Sequence, residues 1–123
     1  MHTAEMRFGK EKTYTVDEFM TDLNKMLTTL VANAAGNRKI PALTEFGGNL
    51  ADNSWWTGTF LKVLRKHQIS YVLGWRNAGT KSNGVTEYYV PFKGEGSEAD
   101  FKKFYKADRT IFQKEISRQK MYE

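Results

Sequence analysis

The chain has 123 residues, 40% hydrophobic and 14% aromatic, with no cysteine and a net charge of +5. That is enough for one small core; it excludes disulfides and thiolate metal sites, and no apolar run approaches the ~20 residues that cross a bilayer. The 19 Lys and Arg against 14 Asp and Glu are scattered along amphipathic stretches, which reads as a solvated face and not as a nucleic-acid surface.

Residues 1–14 are polar and aperiodic, without the apolar core of a signal peptide, and read as a terminal loop. Thr15 and Glu18 then fit a capping box. Phe19, Leu23, Met26, Leu27, Leu30 and Val31 recur at helical spacing behind it. Gly36 and Asn37, which tolerate positive φ, are expected to end that helix. The first strand is expected over residues 40–45, with Pro41 near its start, where a missing donor is tolerated. Gly47, Gly48 and Asn49 read as a turn.

A second helix follows, capped by Asn53 or Ser54, with Trp56, Phe60, Leu61 and Leu64 on its inner face. It ends near His67, a partner for the helix dipole. The second strand is expected over residues 69–75. Residues 78–84 read as a flexible loop, and residues 87–92 as a short extended piece that Pro91 keeps out of any central strand. Ser97 is expected to cap a helix carrying Phe101, Phe104 and Tyr105. Asp108 is expected to cap a last one carrying Ile111, Phe112 and Ile116. Strands alternating with helices imply α/β architecture with parallel strands. Two parallel strands with this much helix read as a piece of a larger sheet, expected to self-associate through bare strand edges when it stands alone.

Both expected strands deliver polar chemistry at their C-terminal ends. The run Ile40-Pro41-Ala42-Leu43-Thr44-Glu45-Phe46-Gly47 ends in a single carboxylate. The run Tyr71-Val72-Leu73-Gly74-Trp75-Arg76-Asn77 ends in an aromatic, a cation and an amide. A carboxylate can act as nucleophile or base, an indole face stacks on the C–H face of a sugar ring, and a guanidinium donates several fixed hydrogen bonds. On residue type alone, Glu45 equally fits a surface acid, Trp75 a core residue and Arg76 a structural ion pair. Asn77 reads as a turn former. Of Trp55 and Trp56, one is expected to pack while the other is a candidate wall of a distal subsite. Tyr88 and Tyr89 are expected to pack under a loop. No Asp, Glu and His spacing suggests a metal site.

Thr44-Glu45-Phe46-Gly47, Trp55-Trp56-Thr57, Trp75-Arg76-Asn77-Ala78 and Tyr89-Val90-Pro91-Phe92, in this order and spacing, resemble the C-terminal part of glycoside hydrolase family 26, a family of endo-β-1,4-mannanases. The resemblance runs over roughly residues 15–116. It implies that residues 15–123 are a partial (β/α)8 TIM-barrel domain holding strands 7–8 and their flanking helices. It implies Glu45 as catalytic nucleophile of a retaining hydrolysis, Trp75 as the floor under the attacked sugar and Arg76 as a contact to the next sugar. The family's acid/base glutamate follows a histidine, and neither His2 nor His67 precedes a glutamate. The chain alone is therefore expected to have little activity. The implied partners are β-mannan and the missing N-terminal strands of a parent barrel, with no cofactor, nucleic acid or membrane. The implied location of the parent enzyme is secreted, periplasmic or at the cell surface. The competing reading is a non-catalytic carbohydrate-binding module built on Trp75, Trp55 and Tyr89. A binder of single-stranded nucleic acid ranks behind both, since the aromatics are not interleaved with clustered cations.

Overall fold

The computed structural model describes residues 15–47, 52–84 and 86–119. The expected terminal loop over residues 1–14 and the turn at Gly48 and Asn49 lie outside the described residues.

Helix α1 runs Val16–Gly36. The capping box forms as expected: Thr15 Oγ1 accepts from Glu18 N at 3.2 Å while Glu18 Oε2 accepts from Thr15 N at 2.9 Å. Such a cap stabilises a helix by about 1 kcal/mol. The other end differs from expectation. The positive φ falls on Arg38, at 53°, whereas Asn37 sits at −104°. Lys39 N donates to Ala34 O and Arg38 N to Ala35 O, the two bonds of a Schellman ending with Arg38 in the left-handed position. One face of α1 buries Phe19, Leu23, Leu27 and Ala34.

Strand β1 is Leu43–Phe46 and strand β2 is Val72–Gly74. They pair in parallel, as expected, but both are shorter than the apolar runs that announced them. Leu43 faces Val72 and Phe46 faces Gly74, so three steps along β1 match two along β2. The extra residue is a bulge. It breaks the two-residue alternation, and Leu43 and Phe46, three apart, both pack towards the helices. Thr44 and Glu45 between them are exposed.

The helix that follows is not the expected α-helix at its start. Trp55–Leu61 is a π-helix that runs into α2, Lys62–Leu64. Its wide turn brings residues five apart into line. Trp55 and Phe60 therefore stack, with centroids 4.8 Å apart and planes at 16°. Both tryptophans are buried, Trp56 at 1% exposure, which removes either from consideration as a subsite wall. Phe46 completes the cluster 4.5 Å from Phe60. His67 Nε2 lies 3.0 Å from Asn24 Oδ1 and ties the end of this segment to α1.

Within the stretch 78–84 expected as a flexible loop, Gly79–Thr80 instead forms β3, which pairs antiparallel with β4, Thr86–Glu87, at the start of the piece expected as extended. Gly79 and Gly84 supply positive φ, and Lys81 pairs with the buried Glu87 at 2.5 Å. Two-residue strands carry no readable periodicity.

Helix α3, Glu98–Tyr105, packs Phe101 and Phe104 against Trp56. Ser97 precedes it, but its hydroxyl does not cap the helix. That buried oxygen accepts from Trp56 Nε1 at 3.2 Å and donates to Glu95 at 2.6 Å. Buried Asp100 accepts from Thr57 N at 2.9 Å and from Thr57 Oγ1 at 2.5 Å, satisfying an otherwise orphaned donor in the first turn of the π-helix. Helix α4 is Gln113–Ile116, followed by a 3-10 turn Ser117–Gln119. Phe112, not Asp108, stands at its start. The Asp108 carboxylate pairs with Arg65 at 2.7 Å instead.

The core thus lies on one side of a two-stranded sheet, between the sheet and the helices. The opposite side carries Tyr71, Leu73 and Trp75, exposed by 53%, 46% and 45%.

Candidate active-site rim

The C-terminal ends of β1 and β2 meet through one hydrogen bond, Trp75 N to Phe46 O at 2.8 Å. Val72 and Gly74 turn towards the core, where the space beside Gly74 is filled by Phe46 and Val90. Alternation along β2 then places Tyr71, Leu73 and Trp75 on the open side. The bulge does the same for Glu45. A regular strand that buried Leu43 would turn residue 45 to the same face; the extra residue between Leu43 and Phe46 leaves the carboxylate exposed.

Of the three residues singled out from the sequence, Glu45 and Trp75 come to neighbouring strand ends and Arg76 follows at once. All three are exposed. Trp75 is not a core residue: its ring makes none of the aromatic contacts that bind Trp55 and Trp56. Among the described residues, neither Glu45 nor Arg76 is held in an ion pair. At these adjoining strand ends stand an exposed carboxylate, an exposed indole and an exposed guanidinium, groups that can attack, stack and donate hydrogen bonds. No group of three or more His, Asp or Glu among the described residues could hold a metal ion.

Two further residues shape this rim. Asn77 is not the turn former its type suggests. Its Oδ1 accepts from Tyr89 N at 2.7 Å and Val90 N at 3.0 Å, and its Nδ2 donates to Val90 O at 2.9 Å. Tyr89 packs its ring on Gly47: a Cβ there would stand 3.1 Å from Tyr89 Cδ1 and 3.5 Å from Trp75 Cβ. Tyr89 is therefore a neighbour of Trp75 and not only loop packing. The sequence carries a faint sign of this, a glycine two residues after the carboxylate and an aromatic pair after the second strand. The distance along the chain hides the contact. Tyr88 instead packs on Phe92, with centroids 4.7 Å apart. A shallow depression along α1, lined by Asp22, Lys25, Met26, Thr29, Leu30 and Asn33, includes none of these rim residues.

No protein-family model matches the chain, and no curated protein matches it. Among solved structures, it is similar to that of a GH26 beta-mannanase from Bacteroides ovatus, BoMan26A. The two share 40% sequence identity with a TM-score of 0.73, over 81% of this chain and 28% of the other. The resemblance to glycoside hydrolase family 26 read from the sequence is borne out by that likeness. The chain spans less than a third of the length of that relative, and as a mixed helix and strand segment it is consistent with part of the barrel the relative implies.

Proposed function

We propose that this chain is the nucleophile-bearing C-terminal segment of a retaining endo-β-1,4-mannanase, with β1 and β2 as the seventh and eighth strands of its barrel. The observation that carries the reading is the bulge in β1, which turns Glu45 away from the helices at the strand end bonded to Trp75. Active groups of (β/α)8 enzymes stand at the C-terminal ends of their strands.

In this reading the Glu45 carboxylate attacks the anomeric carbon of an internal mannosyl unit. The glycosidic C–O bond breaks, and the leaving oxygen takes a proton from an acid supplied by another part of the barrel. A glycosyl ester on Glu45 results. Water then attacks the same carbon, the acid's conjugate base takes its proton, and Glu45 is released as a carboxylate. Two inversions give net retention. Trp75 orients the attacked ring and faces the positive charge that develops on it. Arg76 donates to hydroxyls of the neighbouring sugar. The segment alone supplies one of the two carboxyl groups this chemistry needs. A polymeric substrate places the parent enzyme outside the cytoplasm: secreted, periplasmic or at the cell surface.

The test is a completed barrel, in which residues 15–119 replace the matching part of the Bacteroides ovatus enzyme. Hydrolysis of β-1,4-mannan by this barrel, lost in its Glu45→Gln variant, is the expected result. A folded barrel whose mannan hydrolysis survives Glu45→Gln contradicts the reading.

A further inference from the structure

We propose that Asn77 is a positioning residue for the candidate sugar site, acting through the main chain of residues 89–90 to set the Tyr89 ring against Gly47 beside Trp75. The sugar in this statement rests on the function proposed above; the positioning does not.

The regular hairpin pairing ends where Ala78 N donates to Glu87 O at 2.9 Å and β4 stops at Glu87. Beyond that point the returning segment leaves the ladder of the described strands. The Asn77 amide takes over, occupying both of its polar atoms with the main chain of Tyr89 and Val90. An amide matches this task because it presents an acceptor and a donor on one rigid plane. Two consecutive residues are fixed at once, and alternation sends their side chains to opposite sides. Val90 goes to the core side over Gly74, and Tyr89 goes to Gly47 and Trp75.

Glycine at 47 is part of the device. A Cβ at that position would press within 3.1 Å of the Tyr89 ring, closer than most real contacts, so a side chain there would push the ring by a few tenths of an ångström. Trp75 stands on one side of that backbone and Glu45 lies two residues before it. The Asn77 amide, with no direct contact to a sugar, thereby fixes the wall beside the stacking platform. Preorganised walls of this kind decide whether a ring is held in a reactive pose.

The experiment follows the indole N–H resonances of the isotopically labelled 123-residue chain, with Trp56 as internal control for the core. Asn77→Ala is expected to speed amide exchange at Tyr89 and Val90 by about tenfold or more and to shift the Trp75 indole while that of Trp56 stays in place. Asn77→Asp, which keeps the acceptor and loses the donor, is expected to retain protection at Tyr89 N–H. Mannotriose, titrated against the Trp75 resonance of the completed barrel, is expected to bind about threefold or more weakly to Asn77→Ala. An unmoved Trp75 resonance in Asn77→Ala overturns the positioning. Should that variant lose its Trp56 signal through unfolding, Asn77→Asp decides: protection kept at Tyr89 N–H with Trp75 near its wild-type position supports the proposal, and loss of that protection overturns it. The sugar reading is tested separately by titrating mannotriose into the completed barrel, where the rest of the site is present: a Trp75 resonance that ignores it there contradicts the sugar reading.

Discussion

The two sides of the β1–β2 sheet are built from the same two short strands and behave oppositely. On the helix side, Leu43, Phe46 and Val72 meet Trp55, Trp56 and Phe60 in a continuous aromatic cluster. On the other side, Tyr71, Leu73 and Trp75 are about half exposed, and among the described residues Glu45 is in no ion pair. The first side holds the fold, and the second presents half-exposed apolar surface and the exposed Glu45 carboxylate. Removing a side chain should therefore cost stability on one side and function on the other, with little exchange between them.

The largest expected effect is on the open side. In the completed barrel, Glu45→Gln is expected to lower kcat for mannan by about 10⁴-fold or more, because a nucleophile cannot be replaced by its neighbours. The same change should leave thermal unfolding of the chain within about 0.5 kcal/mol of wild type. Trp56→Ala is the converse. It removes a fully buried indole and its bond to Ser97, and is expected to destabilise by about 3–5 kcal/mol in denaturant titration. Trp75→Ala sharpens the contrast between two tryptophans of one chain. Its unfolding midpoint should hardly move, while kcat/KM in the completed barrel falls about tenfold or more. Smaller still, Thr15→Ala should cost about 1 kcal/mol through the lost cap, with no change at the rim.

The smallest effect concerns acid. The Gly94 N–H, and after it the Lys102 ammonium, hold the Glu98 carboxyl below the usual glutamate range, against a smaller opposing effect of burial. Its folded pKa lies under its unfolded one, so its contribution is complete above the unfolded value and fades as pH falls through the folded one. Far-UV circular dichroism should show α3 loosening only as pH falls below the ordinary glutamate range, and Glu98→Gln should flatten that change. Loss of helix near neutral pH would contradict this sign.

Local signals were legible before any coordinates, and long-range ones were not. The Thr15–Glu18 box could be read because both partners lie within one turn. The parallel pairing follows from two apolar runs separated by a helix, and Glu45 and Trp75 stand out because each ends such a run. The bulge between Leu43 and Phe46 was invisible, since it exists only relative to β2. The π-helix was equally hidden: Trp55 on Phe60 is a spacing of five, and tertiary packing of the aromatics selects it over the α-helical spacing. Asn77 looked like a turn residue because its partners lie 12 and 13 positions away. Asp108 looked like a cap because its type favours one, yet Arg65, 43 positions earlier, offered it a better partner.

The most direct measurement is mass spectrometry of the completed barrel after reaction with a 2-deoxy-2-fluoro-mannoside bearing a good leaving group, which slows release of a glycosyl ester. A mannosyl adduct on the peptide containing Glu45 is the result expected here. An adduct on another carboxylate, or hydrolysis of mannan with inversion and no adduct, would contradict it.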